Sequence, residues 1–498
     1  MKPISKRLLA IALSIVMLFG TLLMTACNST DQEPVTEDTT TAQSAEDTTV
    51  PVGEEKEPTR EDEEPSSDKD YSGTKVHIIA RDGPAKCSLL QGNENDVQSI
   101  SDSIAKRTMY IEEKYKVEMS VEGVGDTADY PKLQASYLGG DQLYDFIAPH
   151  PTNNIVPLMT SGMLQDLHDS AALGGYIDLT KLWWNQSQVE AFTIGDRLFV
   201  GSPDFNLNKR GVSLLVLNKE TWDTVYPDEN IYELIFDGKW TLDKMIDVLN
   251  ENYDEEAGTY GYAGNNTNIH GFYIGAGGKY MVKDENNNWI LQFDVDACST
   301  FAEKMYSMLI GPQTFLEQYY YSGYPTSNVW KTFESGKALI HEMDIDYFGK
   351  MLAAVEFQTA YIPHPKLNEQ QDKYYNNAGC GFMGIPNDAK DLELCGLLME
   401  SFNWYTYHNF RPIYIDSYLS VLIAKNENDY KIVEMALNNG VKDLCEFVDT
   451  SGLASTMFKE VVINNNSTDV ASYIASYESF ANGIIQGVLN DIRNAPTP

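Results

Sequence analysis

The order of strand and helix patterns between residues 74 and 148 constrains the fold more than any other feature of this chain. Lys75–Ala80, Val117–Val121 and Tyr144–Ala148 have the composition of strands, and the apolar spacing of Val97–Tyr115 and Tyr130–Leu138 is typical of helices. Strands and helices that alternate at this spacing form right-handed βαβ units. We therefore predict a mostly parallel sheet covered by helices, in which ligands bind at the carboxyl ends of the strands.

A second arrangement of strands is predicted within Phe192–Trp222. Leu198–Val200 and Ser213–Leu217 are apolar runs typical of strands, and the polar segment Ser202–Gly211 between them is predicted to be a loop. With 498 residues, the chain is long enough for two lobes or domains, and its hydrophobic content of 43% is ample for their cores.

Helical patterns dominate after Trp222. Thr241 is a predicted N-cap for Leu242–Asn252, and Asp429–Val448 is predicted to be one helix. Lys337–Glu342 is a predicted strand that ends at Met343-Asp344, whereas the glycine-rich stretch Gly258–Gly264 is predicted to consist of turns.

The N-terminus has the features of an export signal. Basic residues precede the apolar run Leu8–Met24, which is followed by Thr25-Ala26-Cys27. This arrangement resembles a bacterial lipoprotein signal in which Cys27 is lipidated, although Met24 stands where leucine is usual; a signal anchor is the alternative. Residues 28–70 contain no aromatic residue and are rich in Thr, Ser, Pro and acids, so we predict a disordered tether.

Charge and cysteine content exclude several classes of protein. The formal net charge of −37 argues against nucleic-acid binding, which needs a basic surface. Apart from Cys27, the cysteines are odd in number and widely scattered, so they predict neither a disulfide framework nor a zinc site. These are Cys87, Cys298, Cys380, Cys395 and Cys445.

The sequence contains no recognisable catalytic signature. His341-Glu342 is not followed by the second histidine of a zinc-protease motif, and GxSxG, Walker and GxGxxG motifs are absent. Aromatic residues next to acids and amides are more prominent, and this mixture suits carbohydrates, whose CH faces stack on rings while their hydroxyls bind polar groups. Trp183, Trp184 and Trp404 are candidate rings, although a core role is an open alternative for each.

Several motifs occur in the order found in family 1 extracellular solute-binding proteins of ABC importers, the group that includes maltose-binding protein. The matching stretches are Tyr110–Val121, Leu138–Ile147 (LGGDQLYDFI), Ser161–Leu167 (SGMLQDL), Lys239-Trp240-Thr241 and Phe333–Met343 (FESGKALIHEM). Asp178–Trp184 and Ile362–Tyr375 are similar to a subset found in clostridial lipoproteins. No single motif is specific, but their order over most of the chain after Tyr71 is.

The resemblance implies an α/β, two-lobed, type II periplasmic-binding-protein-like fold. It implies lobe I at 71–200 and 380–430, lobe II at 201–379 and 431–498, and a hinge that closes over the ligand. The implied cleft residues are Asp82, Lys86, His150, Asn153 and Asp204 from one lobe, and Asn265, Asn266, His270 and Asp344 from the other. Trp183, Trp184 and Trp404 complete the predicted set.

The function implied is capture of an extracellular carbohydrate, expected to be an oligosaccharide, and its delivery to ABC permease subunits. The protein is expected to be a monomer on the outer face of the membrane, with no metal, no other cofactor and no catalytic activity. Three alternatives stay open: a binder of peptides or other solutes on the same fold, a sugar-sensing lipoprotein, and a surface glycosidase with two facing carboxylates.

Overall fold

The structure is a computed structural model that describes residues 63–81, 89–92, 98–150, 153–206, 212–318, 327–345, 351–379, 381–414 and 425–496. The strands are β1 (Lys75–Arg81), β2 (Glu118–Val124), β3 (Phe146–Ala148), β4 (Ser213–Asn218), β5 (Tyr260–Asn265), β6 (Met281–Lys283), β7 (Trp289–Leu291), β8 (Thr314–Glu317), β9 (Ala338–Asp344), β10 (Thr359–Ile362), β11 (Asn376–Asn377) and β12 (Gly440–Val441).

The helices alternate with these strands along the chain. They are α1 (Gln98–Tyr115), α2 (Asp129–Gly139), α3 (Ile155–Thr160), α4 (Gln186–Phe192), α5 (Lys219–Val225), α6 (Ile231–Phe236), α7 (Leu242–Glu251), α8 (Asn268–Gly275), α9 (Val295–Leu309), α10 (Asn328–Glu334), α11 (Leu392–Tyr405), α12 (Arg411–Ile413), α13 (Glu427–Asn438), α14 (Cys445–Val448) and α15 (Val470–Arg493). None of the helices in the described ranges has both the length and the apolar character needed to cross a bilayer.

Two separate sheets organise the molecule. In the first sheet, β1 lies between β2 and β3, and both pairs are parallel, with Lys75 opposite Glu118 and Ile78 opposite Phe146. The second sheet has the order β10-β4-β9-β5-β8, in which β4 runs opposite to the other four strands. Both sheets are therefore mostly parallel, as the sequence predicts, and each places several carboxyl strand ends at one edge.

Two crossing segments join the sheets at these edges. Gly384 pairs antiparallel with Ile147, and Met383 pairs with Gly201, so residues 381–382 and 202–206 both leave the first sheet on the side where β3 ends. Because β4 is antiparallel to β9, its first residue Ser213 lies opposite Asp344, at the carboxyl edge of the second sheet. In each sheet, the chain therefore crosses over at the carboxyl edge.

The end of the predicted tether is packed on the first sheet's helices. Residues 63–70, named here the N-terminal strap, lie against α1 and α11. The Glu64 carboxylate pairs with Lys114 at 2.7 Å and accepts the Tyr110 hydroxyl at 2.8 Å, and the Pro65 carbonyl accepts the Tyr115 hydroxyl at 2.6 Å. Polar groups of the strap form hydrogen bonds and an ion pair with side chains of α1. The composition of residues 63–70 alone does not predict these contacts.

Most of the predicted elements are confirmed, and three are corrected. Thr241 caps α7 by accepting the Lys244 N–H at 3.3 Å. Leu198–Val200 is not a strand, because its residues form no β-bridge. The next residue, Gly201, makes only an isolated β-bridge to Met383. The segment 429–448 is divided among α13, β12 and α14.

The third correction is that β5 lies within the glycine-rich stretch that predicts turns. Gly261 has a packing role there, since a Cβ at this position would lie 2.4 Å from the Cα of Leu249 in α7. The glycine lets a helix approach a central strand closely. The predicted signal, Cys27 and residues 28–62 lie outside the described residues.

Candidate functional site

The carboxyl edge of the first sheet carries a polar cluster drawn from consecutive loops. Arg81 ends β1 and donates from Nε to the Asp126 carboxylate, 2.8 Å away in the loop after β2. The predicted residues His150 and Asn153 follow β3, and the Asn153 amide lies 3.4 Å from the carbonyl of Asp126. The structure therefore brings His150 and Asn153 together at one edge.

Asp129 holds this edge in place. It is fully buried in the first turn of α2, and its carboxylate accepts the backbone N–H groups of Tyr130 and His150, each at 2.8 Å, as well as the side-chain amide of Asn154. Burial, followed by the nearby Arg81 charge, lowers the pKa of His150, against the opposite effects of Asp126 and Asp129. A neutral imidazole has one donor and one acceptor, which suits a hydroxyl group.

The carboxyl edge of the second sheet carries Asn265, Glu317 and Asp344 at the ends of β5, β8 and β9. The backbone N–H of Asn266 donates to the Glu317 carbonyl at 3.0 Å, and the Asn265 amide oxygen accepts the Thr267 N–H at 3.0 Å. Asp344 accepts the Ser213 hydroxyl. The predicted residues Asn265, Asn266 and Asp344 thus share one edge, where these contacts shape the loops.

His270 lies two residues into α8 and belongs to an ionic network. Its Nε2 is 3.1 Å from Glu446, whose other oxygen is 2.7 Å from the Lys442 ammonium. Burial alone would raise the pKa of Glu446, but Lys442 and His270 lower it to about 2. The His270 ring is stacked on Tyr280 at 5.7 Å, so one face of this histidine is covered.

A pocket of about 110 Å³ opens beside the start of α8. Its lining residues are Thr267, Ile269, His270, Tyr280, Ser455, Thr456, Phe458 and Lys459. Sequence reasoning missed Ser455, Thr456 and Lys459, because they come from a segment far along the chain that carries no motif. We name this cavity the α8 pocket.

Trp183 and Trp184 are core residues, which corrects their prediction as ligand-stacking rings. They are 2% and 1% exposed, and their indole N–H groups donate to the two oxygens of Glu400 at 2.7 and 3.2 Å. Burial raises the pKa of Glu400 to about 8, against the opposing effect of the two indoles. Trp404 is half-buried, with its ring 4.8 Å from that of His408.

A buried arginine fixes the first crossing segment. Asp204 is buried within the 3-10 helix Asp204–Asn206, and Arg107 donates to the carbonyl of Phe205 at 3.1 Å and to the Thr406 hydroxyl at 2.8 Å. The guanidinium also lies 5.2 Å from the ring centroid of Phe205. Burial lowers the pKa of Arg107 to about 9, so the residue stays cationic at neutral pH.

Two predicted site residues, Asp82 and Lys86, lie outside the described residues. The described cysteines Cys298, Cys395 and Cys445 are buried free thiols, and Cys87 and Cys380 are not described. Across the described ranges, no group of three or more His, Cys, Asp and Glu residues is arranged to hold a metal ion. The described site residues form two sets of hydrogen-bonding side chains, one at the carboxyl edge of each sheet.

No family model matches the sequence, and no curated protein matches it. Many solved structures share the fold. One is a cyclo/maltodextrin-binding protein complexed with maltotetraose, with 12% identity and a TM-score of 0.55 over 86% of this chain and 99% of that chain. Another is the galacto-N-biose-/lacto-N-biose I-binding protein of the ABC transporter from Bifidobacterium longum, with 12% identity and a TM-score of 0.54 over 85% of this chain and 98% of that chain. A third is the GacH receptor of Streptomyces glaucescens, solved with acarbose, with 14% identity and a TM-score of 0.53 over 84% of this chain and 99% of that chain.

These similarities confirm the predicted fold class, a two-lobed type II periplasmic-binding-protein-like fold with sheets flanked by helices. The similar structures are binding proteins, not enzymes. At such low identities the likeness concerns the fold alone. The predicted lobe boundaries stay predictions.

Proposed function

We propose that this chain is an extracellular solute-binding protein that captures a carbohydrate between the two carboxyl edges and delivers it to an ABC importer. The observation that supports this proposal most is the pair of polar edges beside the crossing segments, in a fold shared with proteins that bind maltotetraose, lacto-N-biose and acarbose. An oligosaccharide is the proposed ligand.

The chemistry of the edges suits hydroxyl-rich ligands. His150 and Asn153 on one edge have both donor and acceptor capacity, and the hydroxyls of Thr267, Ser455 and Thr456 on the other, which donate within the protein, keep lone pairs that can accept. A sugar hydroxyl also donates and accepts, so each can pair with these side chains. The half-buried ring of Trp404 is proposed to stack on a sugar face.

Closure of the two edges supplies the specificity, and no covalent step is required. The crossing segment at 204–206 is fixed to the first sheet's helices by Arg107, so in this proposal it moves together with the first sheet during closure. In this proposal Cys27 is lipidated, the protein is anchored on the outer face of the membrane as a monomer, and the permease contacts both lobes at the rim of the cleft.

A thermal-shift screen tests the proposal. The chain from residue 28 to 498 is melted with mono- and oligosaccharides, and with peptides as the control set. At a ligand concentration about 100 times its dissociation constant, a ligand of the native state adds roughly 2.7 kcal/mol of stability. A sugar that raises the melting temperature and is recovered intact supports the proposal. Recovery of sugar fragments would indicate a glycosidase. Stabilisation by peptides alone would show that the ligand is a peptide and not a carbohydrate.

A further inference from the structure

We infer that the captured solute carries an anionic group, such as the carboxylate of a uronic acid, and that Lys459 binds this group in the α8 pocket. The inference rests on the proposed function and narrows its ligand class. It follows from a lysine and a helix start that line one small cavity at the edge of the second sheet.

Lys459 is a cation without an acidic partner. Its ammonium group makes no ion pair within the described part of the chain, although the protein has 73 Asp and Glu residues against 36 Lys and Arg. Other lysines are paired with carboxylates, such as Lys442 with Glu446 and Lys244 with Glu229. A partly buried lysine that faces a pocket is therefore available to a ligand.

The acidic side chains around the pocket are already engaged by protein donors. Glu446 is held by Lys442 and His270 at 2.7 and 3.1 Å. Asp449 accepts the backbone N–H groups of Ala454 and Ser455 at 2.8 and 3.0 Å. Glu460 follows Lys459 directly in the π-helix Lys459–Asn464, and adjacent positions of a helix project in different directions. None of the residues that line the pocket is acidic.

The start of α8 adds a second attraction for an anion. Helix α8 has eight residues and begins at Asn268, next to the lining residues Thr267 and Ile269. The first N–H groups of a helix have no acceptor inside it, and they form the positive end of its dipole. The hydroxyls of Thr267, Ser455 and Thr456 donate to Asn265, Asp449 and the Gly452 carbonyl, so the attraction for an anion comes from the lysine and the helix start. At about 110 Å³ the cavity is below the range of whole ligand sites, so it fits one substituent of a larger ligand.

Matched sugars that differ in charge test the inference. Oligogalacturonates and neutral galactose oligomers of the same linkage are titrated into the chain from residue 28 to 498, together with glucose 1-phosphate and glucose. We expect the acidic member of a pair to bind at least about tenfold more tightly, with an advantage that shrinks at high salt. The Lys459→Gln variant should lose about 10- to 100-fold in affinity for the acidic sugar only.

Two further variants make the result specific. Lys459→Arg keeps the charge and should retain the preference, and Lys106→Gln removes an exposed lysine of α1 and should change nothing. A response to the sugar phosphate alone would assign the anionic group as phosphate. Equal affinity for neutral and acidic sugars, or an unchanged preference in Lys459→Gln, would overturn the inference and leave the proposed function standing. Absence of stabilisation by any sugar would overturn both.

Discussion

Two buried glutamates in different regions of this protein have opposite protonation behaviour. Glu400 lies beneath the crossing segments, accepts two indole N–H groups and has a pKa raised by burial to about 8. Glu446 lies beside the α8 pocket, where Lys442 and His270 outweigh burial and lower its pKa to about 2. The difference shows that neutral donors hold a buried acid in place without keeping it ionised, whereas an ammonium group does both.

The largest effect is expected when Glu446 is made to resemble Glu400. The Lys442→Met variant leaves a buried carboxylate without its main counter-charge, which should cost about 3–5 kcal/mol of unfolding free energy at pH 8. The deficit should shrink toward pH 5, because the raised pKa lets Glu446 take up a proton. Urea denaturation at both pH values measures this, with Lys431→Met at an exposed ion pair as the control. An equal deficit at both pH values would contradict this account.

The converse change concerns Glu400. In the unfolded chain a glutamate loses its proton near pH 4.5, whereas folded Glu400 keeps it up to about pH 8. Between these values the unfolded state binds fewer protons, so stability should fall as pH rises, by up to about 1.4 kcal/mol per pH unit. Glu400→Gln should remove this part of the pH dependence. The test compares the unfolding free energies of the variant and the wild type from pH 5 to 9; parallel curves would argue against it.

A smaller effect is expected from one of the indole donors. Trp183→Phe keeps most of the ring's packing but removes the N–H that Glu400 accepts at 2.7 Å. We expect a loss of about 1–2 kcal/mol in unfolding free energy at pH 6. Trp222→Phe, whose indole donates to the carbonyl of Glu229 instead of a carboxyl group, is the matched control. Only the Trp183 variant should change the pH dependence assigned to Glu400.

The smallest effect should come from the N-terminal strap. Removal of residues 63–70 breaks the Glu64–Lys114 pair and the Pro65 contact with Tyr115. Because these contacts are only partly buried, the loss should be about 1 kcal/mol, visible as a lower melting temperature. A variant that lacks residues 28–35 instead should melt like the parent chain. Equal melting of all three chains would show that the strap contributes no stability.

The sequence predicts the first sheet better than the second. The βαβ order up to Ala148 is evident because each strand and helix is recognised from its own apolar spacing. At the carboxyl edge of the first sheet, His150 is predicted because it follows directly on a strand, whereas Asn153 is implied only by the resemblance to solute-binding proteins. The α8 pocket is different, since Ser455 and Lys459 meet Thr267 only through the tertiary fold.

Two failures have a clear physical cause. Adjacent tryptophans do not reveal whether they face a ligand or the core, and the partner that decides this for Trp183 and Trp184 is Glu400, on a distant helix. Glycine patterns are ambiguous in the same way, since Gly261 serves close packing in a strand rather than a turn. In both cases the deciding interaction is long-range.

The N-terminal strap also determines how a mechanical load enters the fold. β1 is the central strand of the first sheet, and a pull applied at its own first residue would act directly on its pairing with β2 and β3. The contacts of Glu64, Pro65 and Lys69 with α1 and α11 come first along the chain, so a pull from the N-terminal side is taken up there. These side-chain contacts would bear a pulling force before it reaches the pairing of β1 with its neighbouring strands.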